Sequence, residues 1–190
     1  PEMHRDYLAV NIEGIGDYEG ILKRGSERIG LNSQTVSNPP INIRSWADLA
    51  AIKTGIASQG LNYVLVADLN ASSPGYSEYA SLSANGGEGW MPIGNVTSSP
   101  FQGSFNGNGF TISDVKISAS SITYVGLFGV VDGTATFENL TLDSFTITGS
   151  SAEEGSFLIG HIMSTANVTI ENLLITGSSL DGGVSLGGFV

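Results

Sequence analysis

Two adjacent carboxylates, Glu153 and Glu154, and the later Asp181 are the side chains whose type and spacing best suit catalysis. Carboxylates held about 5–9 Å apart can hydrolyse a glycosidic bond. The pair lies in a loop of Gly, Ser and Ala (residues 149–156) without a basic or aromatic neighbour. A sugar site usually needs aromatic side chains, and a polysaccharide lyase needs Arg or Lys. The favoured interpretation is therefore a solvated loop, and catalysis by these acids is the alternative.

The sequence gives less support for catalysis by zinc, by a histidine base or by a serine nucleophile. The two histidines, His4 and His161, are far apart, and the sequence has no His-Glu-x-x-His motif of a zinc hydrolase. His161 follows Gly160 in an apolar stretch, which predicts a strand residue facing solvent or a corner rather than a catalytic base. No Gly-x-Ser-x-Gly elbow stands between a strand and a helix.

The sequence signals for ligand binding are equally unspecific. Asp132-Gly133 and Asp181-Gly182 are first of all turn signals, with binding of a divalent cation as the alternative. Trp46 and Trp90 are expected to pack over an end or corner of the core rather than to form ligand platforms. The sequence therefore predicts neither a cofactor nor a metal site.

Composition and charge narrow the class of protein. The 190 residues include 26 Gly and no Cys, and 18 acidic against 7 basic residues give a net charge of −11. A chain of this charge repels nucleic acid phosphates and anionic membrane surfaces. No apolar run approaches the roughly 20 residues that a transmembrane helix needs. The expectation is an acidic, Gly-rich globular protein that binds no nucleic acid and does not insert into a membrane.

Two segments differ in character. Residues 1–40 hold most of the positive charge and end in Asn38-Pro39-Pro40, which predicts a separate N-terminal segment of short strands or a linker. Residues 45–53 predict one short helix with Ser45 as its N-cap, Asp48 as the acceptor of a capping box and Gly55 as its stop. Its apolar side comprises Trp46, Leu49, Ala50 and Ile52. Residues 41–190 form the second predicted domain.

Repetition is the strongest signal after residue 60. Three hexads share one pattern of apolar, polar, Asp or Asn, apolar, any, apolar, and they begin at Ile112, Phe137 and Ile170. A second, Gly-rich series places Leu127, Leu158 and Phe189 at equal steps of 31 residues. A repeat of this length, built of short strands and Gly or Asn turns, is typical of one coil of a β-solenoid.

The physics of stacking explains why such coils would repeat. One coil cannot bury its inward side chains or satisfy its backbone groups, whereas coils stacked about 4.8 Å apart pair their strands in parallel. Leu127, Leu158 and Phe189 would then share one internal column. Asp114, Asn139 and Asn172 would occupy matching positions and form a ladder of side-chain hydrogen bonds. A sandwich or barrel would not need the matched motifs.

A family resemblance rests on the stretch from Trp90 to Gly94, the stretch Pro100 to Ile112 with its Phe-Asn-Gly-Asn-Gly centre, and the tetrad Gly126-Leu127-Phe128-Gly129. These segments resemble the GLUG-motif proteins, which are Gly-rich repeat proteins of bacterial and archaeal surfaces, also found in surface peptidases of the IgA-protease type. The likeness covers roughly residues 41–190 and departs from the family pattern at Asn106 and Phe110. The resemblance implies an all-β, right-handed parallel β-helix with one short N-terminal capping helix, in a surface or secreted protein.

The functional expectation follows from that architecture. The favoured function is a non-enzymatic extracellular or cell-surface module for structure or adhesion, and the alternative is a carbohydrate-active β-helix enzyme. The third repeat stops at Val190, which predicts a β-helix that is truncated or open at its C-terminal end. An unpaired strand there is a template for another strand. The expected partners are therefore a protein or glycan surface, or further copies that associate through this edge into an assembly or filament.

Overall fold

The computed structural model describes the backbone of strands 7–12 and 15–21, then residues 39–149 and 154–181, and the backbone of 185–186. The chain divides into two compact units, Pro1–Val36 and Ser37–Val190. In the first unit, strands β1 (Tyr7–Ile12) and β2 (Ile15–Ile21) form an antiparallel pair.

The second unit is built almost entirely of short strands, in agreement with the predicted all-β class. Its helical segments are α1 (Trp46–Ala50), α2 (Tyr76–Tyr79) and two 3-10 turns, Gly55–Ser58 and Ala84–Gly87. Its strands are β3 (Ile41–Ile43), β4 (Asn62–Leu65), β5 (Ser104–Asn106), β6 (Thr111–Ser113), β7 (Lys116–Ser118), β8 (Tyr124–Val125), β9 (Phe128–Val131), β10 (Thr134–Asp143), β11 (Thr146–Thr148), β12 (Glu154–Gly155), β13 (Ile159–Ile162), β14 (Asn167–Thr176), β15 (Ser179–Asp181) and β16 (Ser185–Leu186).

The strands of the second unit pair in parallel, each with its counterpart from an adjacent stretch of chain. The orders are β3-β4-β5-β10-β14, with β6 also pairing β10, then β7-β11-β15, β8-β12-β16 and β9-β13. Phe137 lies between Phe105 on one side and Ile170 on the other. Isolated bridges continue the register upstream, where Ile93 pairs with Phe128 and Phe101 with Val131.

Apolar side chains from successive stretches meet in the core. Seven of the largest fully buried side chains are aromatic, namely Trp46, Trp90, Phe101, Phe105, Phe128, Phe137 and Phe145. The Phe128 ring lies 4.8 Å from both Phe101 and Phe137, measured between centroids. Leu127 and Leu158 are both fully buried at equivalent positions, since the amide of the next residue, Phe128, donates to the Leu158 carbonyl. Phe189, the third predicted member of this column, lies outside the described residues.

The predicted helix at residues 45–53 is present but shorter, since α1 ends at Ala50. The Ser45 hydroxyl accepts from the Asp48 amide at 3.1 Å, as predicted for the N-cap. The expected capping box is wrong in detail, because the Asp48 carboxylate accepts from the Arg44 amide at 2.9 Å instead of closing on Ser45. Ala50 is exposed, so the buried side of the helix comprises Trp46 and Leu49.

The repeat alignment proposed for Ile112 is also wrong. The hexads at Phe137 and Ile170 do match, but Ile112 pairs with Leu142, and the partner of Phe137 is Phe105. The two bends look alike in sequence because each has a polar residue with positive φ before a Val or Leu, at Asp114 (65°) and Asn139 (53°). Between β5 and β6 the chain has four residues, 107–110, where β10 has two, 139 and 140, so the register upstream is shifted by two residues.

Candidate functional site

The acidic loop that sequence reasoning singled out leads into a small polar cluster on the surface. Glu154 begins β12 and is in register with Tyr124 of β8, while His161 lies on the following strand, β13. The Glu154 Oε2 atom lies 2.7 Å from His161 Nδ1. The Tyr124 ring stacks on the imidazole with a centroid distance of 4.9 Å and an interplanar angle of 29°.

A tight turn brings Glu154 and His161 together. The Ser156 hydroxyl accepts from the Ile159 amide at 2.9 Å and donates to the Ile159 carbonyl at 2.8 Å, which fixes the bend between β12 and β13. Gly160 allows close approach of the neighbouring coil, because a Cβ there would lie 2.7 Å from the Val125 nitrogen. Both side chains remain accessible, with 28% of His161 and 47% of Glu154 exposed.

The predicted catalytic acids do not form a carboxylate pair among the described contacts. Glu153 lies outside the described residues. Asp181 ends β15, which belongs to a different sheet from β12, and in the described part of the chain no hydrogen bond or ion pair joins it to Glu154. The Glu154 partner is instead His161, which sequence reasoning placed on a strand at the surface. The seven-residue spacing across a Gly/Ser turn was the available signal for this contact, and it was missed.

A ladder of asparagines runs along one corner of the sheets. The Asn172 amide donates to the Asn139 side-chain oxygen at 2.9 Å, and the Asn139 amide points to Asn106 at 3.4 Å, each step spanning 33 residues. Asn139 and Asn172 match the prediction. Asp114 was wrongly placed in the ladder, because its position corresponds to Ser144 and Gly177 in the adjacent coils. Its carboxylate instead accepts from the Ala71 amide at 3.1 Å.

Both tryptophans are structural. Trp46 is fully buried and donates to the Asn70 carbonyl at 3.0 Å, and Trp90 is 1% exposed and donates to the Leu127 carbonyl at 3.1 Å. Their rings lie 5.9 Å apart. A cleft of about 330 Å³ lies beside Trp90, and Ile52, Tyr79 and Asn85 contribute to its walls. The two indoles therefore pack the core, as expected, and Trp90 also borders a cleft.

Two turn carboxylates are held by hydroxyl groups from the next coil. The Thr176 hydroxyl donates to Asp143 at 2.6 Å, and this bond, assisted by Ser144, lowers the pKa of Asp143. The Thr165 hydroxyl donates to Asp132 at 2.7 Å and lowers the pKa of that carboxyl. Each acid therefore strengthens the contact between adjacent coils when it is charged.

Within residues 39–149 and 154–181, no group of three or more His, Asp or Glu side chains is close enough to hold a metal ion. No helix in the described ranges is long and apolar enough to span a bilayer.

Two curated proteins are similar to this sequence. Halomucin from Haloquadratum walsbyi is 38% identical over 115 residues, which is 60% of this chain and 1% of that protein. A protein described as a Gly-rich membrane protein, from Evansella cellulosilytica, is 32% identical over 141 residues, which is 73% of this chain and 15% of its own length. This chain thus spans a small part of each relative. No family model matches the sequence. No solved structure matches it.

Proposed function

We propose that this chain is a non-enzymatic structural module at the cell surface or outside the cell, built on a right-handed parallel β-helix of the GLUG type. The observation that carries the proposal is the parallel ladder in which Phe105, Phe137 and Ile170 follow one another in adjacent strands. Four sheets with the same parallel order support successive coils around one core. The right hand follows from the strong preference of parallel crossover connections.

The surface location draws on the relatives. One is described as a membrane protein, and both are far longer than the matched segment. A stack of coils suits a repeated part of a long chain, because each coil contacts only its neighbours and the array can extend without a larger core. The Gly and Asn turns and the Asn ladder satisfy polar groups at the corners, which stiffens the stack. Such a module would present a rigid face to a protein or glycan partner.

Antibodies against the purified chain test the location. Intact, unpermeabilised cells of the source organism should bind them, and brief protease treatment of the cells should release or destroy the epitope. An antibody against a cytoplasmic protein is the control for cell integrity. Labelling that requires permeabilisation would contradict the surface role.

A second candidate, a carbohydrate-active enzyme, draws on the Glu154–His161 contact with its stacked Tyr124 ring. A carboxylate, an imidazole and an aromatic face are the groups that a sugar site uses. The test is a screen of acidic and neutral polysaccharides for new reducing ends or unsaturated products, repeated with Glu154→Gln and Glu153→Gln. Asp181→Asn is the matched control on the neighbouring sheet. Activity that is lost in Glu154→Gln and retained in Asp181→Asn would replace the structural proposal.

A further inference from the structure

Four tripeptides of the sequence match Asn-x-Ser/Thr, the acceptor pattern for N-linked glycosylation of exported proteins, and they begin at Asn70, Asn95, Asn139 and Asn167. The pattern alone does not distinguish them, because Asn, Ser and Thr are common in this chain. The structure does, because a transferase must reach the side-chain amide and enclose all three residues of the acceptor. An acceptor that is modified on the folded chain therefore has to lie in an exposed loop.

Two of the four acceptors lie in strands. Asn139 is half-buried in β10, where its side-chain oxygen accepts from the Asn172 amide at 2.9 Å. Asn167 begins β14 and is exposed, but residues 167–169 pair in order with β10. The middle residue of this acceptor, Val168, packs against the core. Modification at either position would require the strand to leave its sheet.

The acceptor at Asn70 is fixed to the body of the domain. The half-buried Asn70 accepts from the Ser72 backbone amide at 2.8 Å through its side-chain oxygen, and from the Trp46 indole at 3.0 Å through its carbonyl. The middle residue, Ala71, donates its backbone amide to the Asp114 carboxylate at 3.1 Å. A transferase would have to break these bonds in order to enclose the acceptor.

The acceptor Asn95-Val96-Thr97 differs from the other three because it is exposed along its whole length. Val96, the middle residue, is 47% exposed. In the described part of the chain, no hydrogen bond engages the side chain of Asn95 or Thr97. The Nδ2 atom of Asn95 and the Thr97 hydroxyl are therefore both accessible to a transferase.

The loop that carries Asn95 is anchored at its base by β9. The Val130 amide donates to the Gly94 carbonyl at 2.6 Å, and the Val130 carbonyl accepts from the Phe101 amide at 2.8 Å. Residues 95–100 thus leave the stack between two bonds to a single strand residue. A sugar attached in this loop would leave the parallel strands on either side undisturbed.

Exposed apolar side chains adjoin the same loop. The Ser99 hydroxyl lies 2.8 Å from the Thr54 hydroxyl, which places the 3-10 turn Gly55–Ser58 beside the loop. Ile56 of that turn is 83% exposed, and Val96 is the exposed middle residue of the acceptor. Apolar side chains that are exposed close together mark a surface that another group can cover. The C–H face of a sugar ring is such a group.

We propose that Asn95 is a site of N-linked glycosylation, with a lipid-phosphate-linked oligosaccharide as the sugar donor. The Asn95 Nδ2 atom attacks the anomeric carbon of the donor and forms a C–N bond. The bond between that carbon and the phosphate oxygen breaks, the lipid phosphate leaves, and the amide gives one proton to a base of the transferase. The inference rests on the surface location in the proposed function, because this modification is made on exported chains.

Mass spectrometry of the protein from cells of the source organism tests the site. The proteolytic peptide that contains Asn95 should carry an added mass of whole sugar residues. The peptides that contain Asn70, Asn139 and Asn167 should have the masses of their unmodified sequences.

Variants of the acceptor make the test specific. Asn95→Gln and Thr97→Ala should each abolish the modified peptide, whereas Thr97→Ser should retain it, because Ser also serves at the third position. Ser98→Ala is the matched control, since it removes an exposed hydroxyl next to the acceptor. This variant should keep the glycan. All four variants, produced without the transferase, should unfold at the same temperature as the parent chain, because the loop lies outside the sheets.

The outcomes separate this inference from the proposed function. An unmodified Asn95 peptide in protein recovered from the cell surface would overturn the inference and leave the surface role intact. Modification at Asn139 or Asn167 in place of Asn95, or a modified peptide that persists in Thr97→Ala, would also overturn it. Absence of the protein from the surface would remove both the glycosylation site and the proposed function.

Discussion

The side-chain amide of Asn172 donates to the side-chain oxygen of Asn139 over 2.9 Å, although 33 residues separate the two positions. Both residues have a left-handed backbone, with φ of 52° and 53°. Asn adopts this conformation more readily than most residues. One side chain therefore serves two purposes at this corner: it tolerates the bend, and it links one coil to the next.

The two contributions of Asn139 can be separated by substitution. Asn139→Gly keeps the left-handed bend and removes the amide, so we expect a loss of about 1 kcal/mol in the free energy of unfolding. Asn139→Ala also strains the backbone, which adds about 1–2 kcal/mol. Urea denaturation of both variants measures the difference. Equal losses would show that the bend at Asn139 needs no left-handed residue.

Removal of a phenylalanine ring from the buried core should reduce the free energy of unfolding more than removal of a half-buried ring. Phe137 is 1% exposed and packs against Phe101 and Phe128 at centroid distances of 5.7 and 4.8 Å. Phe137→Ala should reduce the free energy of unfolding by about 3–5 kcal/mol. Phe110, which lies between β5 and β6, is half-buried, and Phe110→Ala is the matched control with a smaller loss. A comparable loss for both, measured by denaturant unfolding, would contradict the assigned core.

Close packing between coils makes Gly107 intolerant of a side chain. A Cβ at this position would collide with the Asn139 carbonyl oxygen and the Leu140 backbone in the adjacent strand, whereas at Gly109 nothing lies within 4 Å. Gly107→Ala should cost about 1–3 kcal/mol or more through overpacking. Gly109→Ala should cost only its backbone strain, since φ there is 80°. In thermal unfolding, Gly107→Ala should have a lower melting temperature than Gly109→Ala. The reverse order would mean that the two coils lie farther apart than in the structure.

The hydroxyl bond to Asp143 makes part of the stability depend on pH. Because Thr176 and Ser144 lower the folded-state pKa of Asp143 below its unfolded value near 3.9, the interaction stabilises the chain above that pH. It is lost as the pH falls through the lower folded-state value. Thr176→Val should therefore lower the urea midpoint at neutral pH, and its difference from the parent chain should disappear in strong acid.

The control for that prediction is Thr169→Val, an exposed threonine of the same strand without a carboxylate partner among the described contacts. Its small effect should not change with pH. If the effect of Thr176→Val persisted unchanged in acid, the charge of Asp143 would not be the cause.

Sequence periodicity recovered the class of fold and part of the register. The hexads at Phe137 and Ile170 align because both coils have the same length in that part, so equal spacing in sequence means equal position in space. The hexad at Ile112 misled, because Asp114 and Asn139 are both polar residues with positive φ before a Val or Leu, although they lie at different corners. The earlier coil also has four residues, 107–110, where β10 has two, 139 and 140, so equal spacing in sequence does not mean equal position there.

The polar cluster was harder to predict. Glu154 was noted for its neighbour Glu153 in sequence, whereas its contact with His161 depends on the hydroxyl of Ser156, which folds the turn between them. Side-chain bonds of this kind carry no periodic signal. The difference in burial between β14 and β10 could likewise not be predicted from residue type, since Ile170 and its counterpart Phe137 are both apolar.

Nuclear Overhauser contacts between backbone amides test the central claim, that successive coils lie in parallel register, most directly. Selective labelling of Phe and Ile should give contacts that link the Phe105, Phe137 and Ile170 strands in order, and likewise the Ile117 and Ile147 strands, at the roughly 4.8 Å spacing of adjacent strands. Close Hα–Hα contacts between these strands, typical of antiparallel pairs, or contacts in a different register would contradict the account.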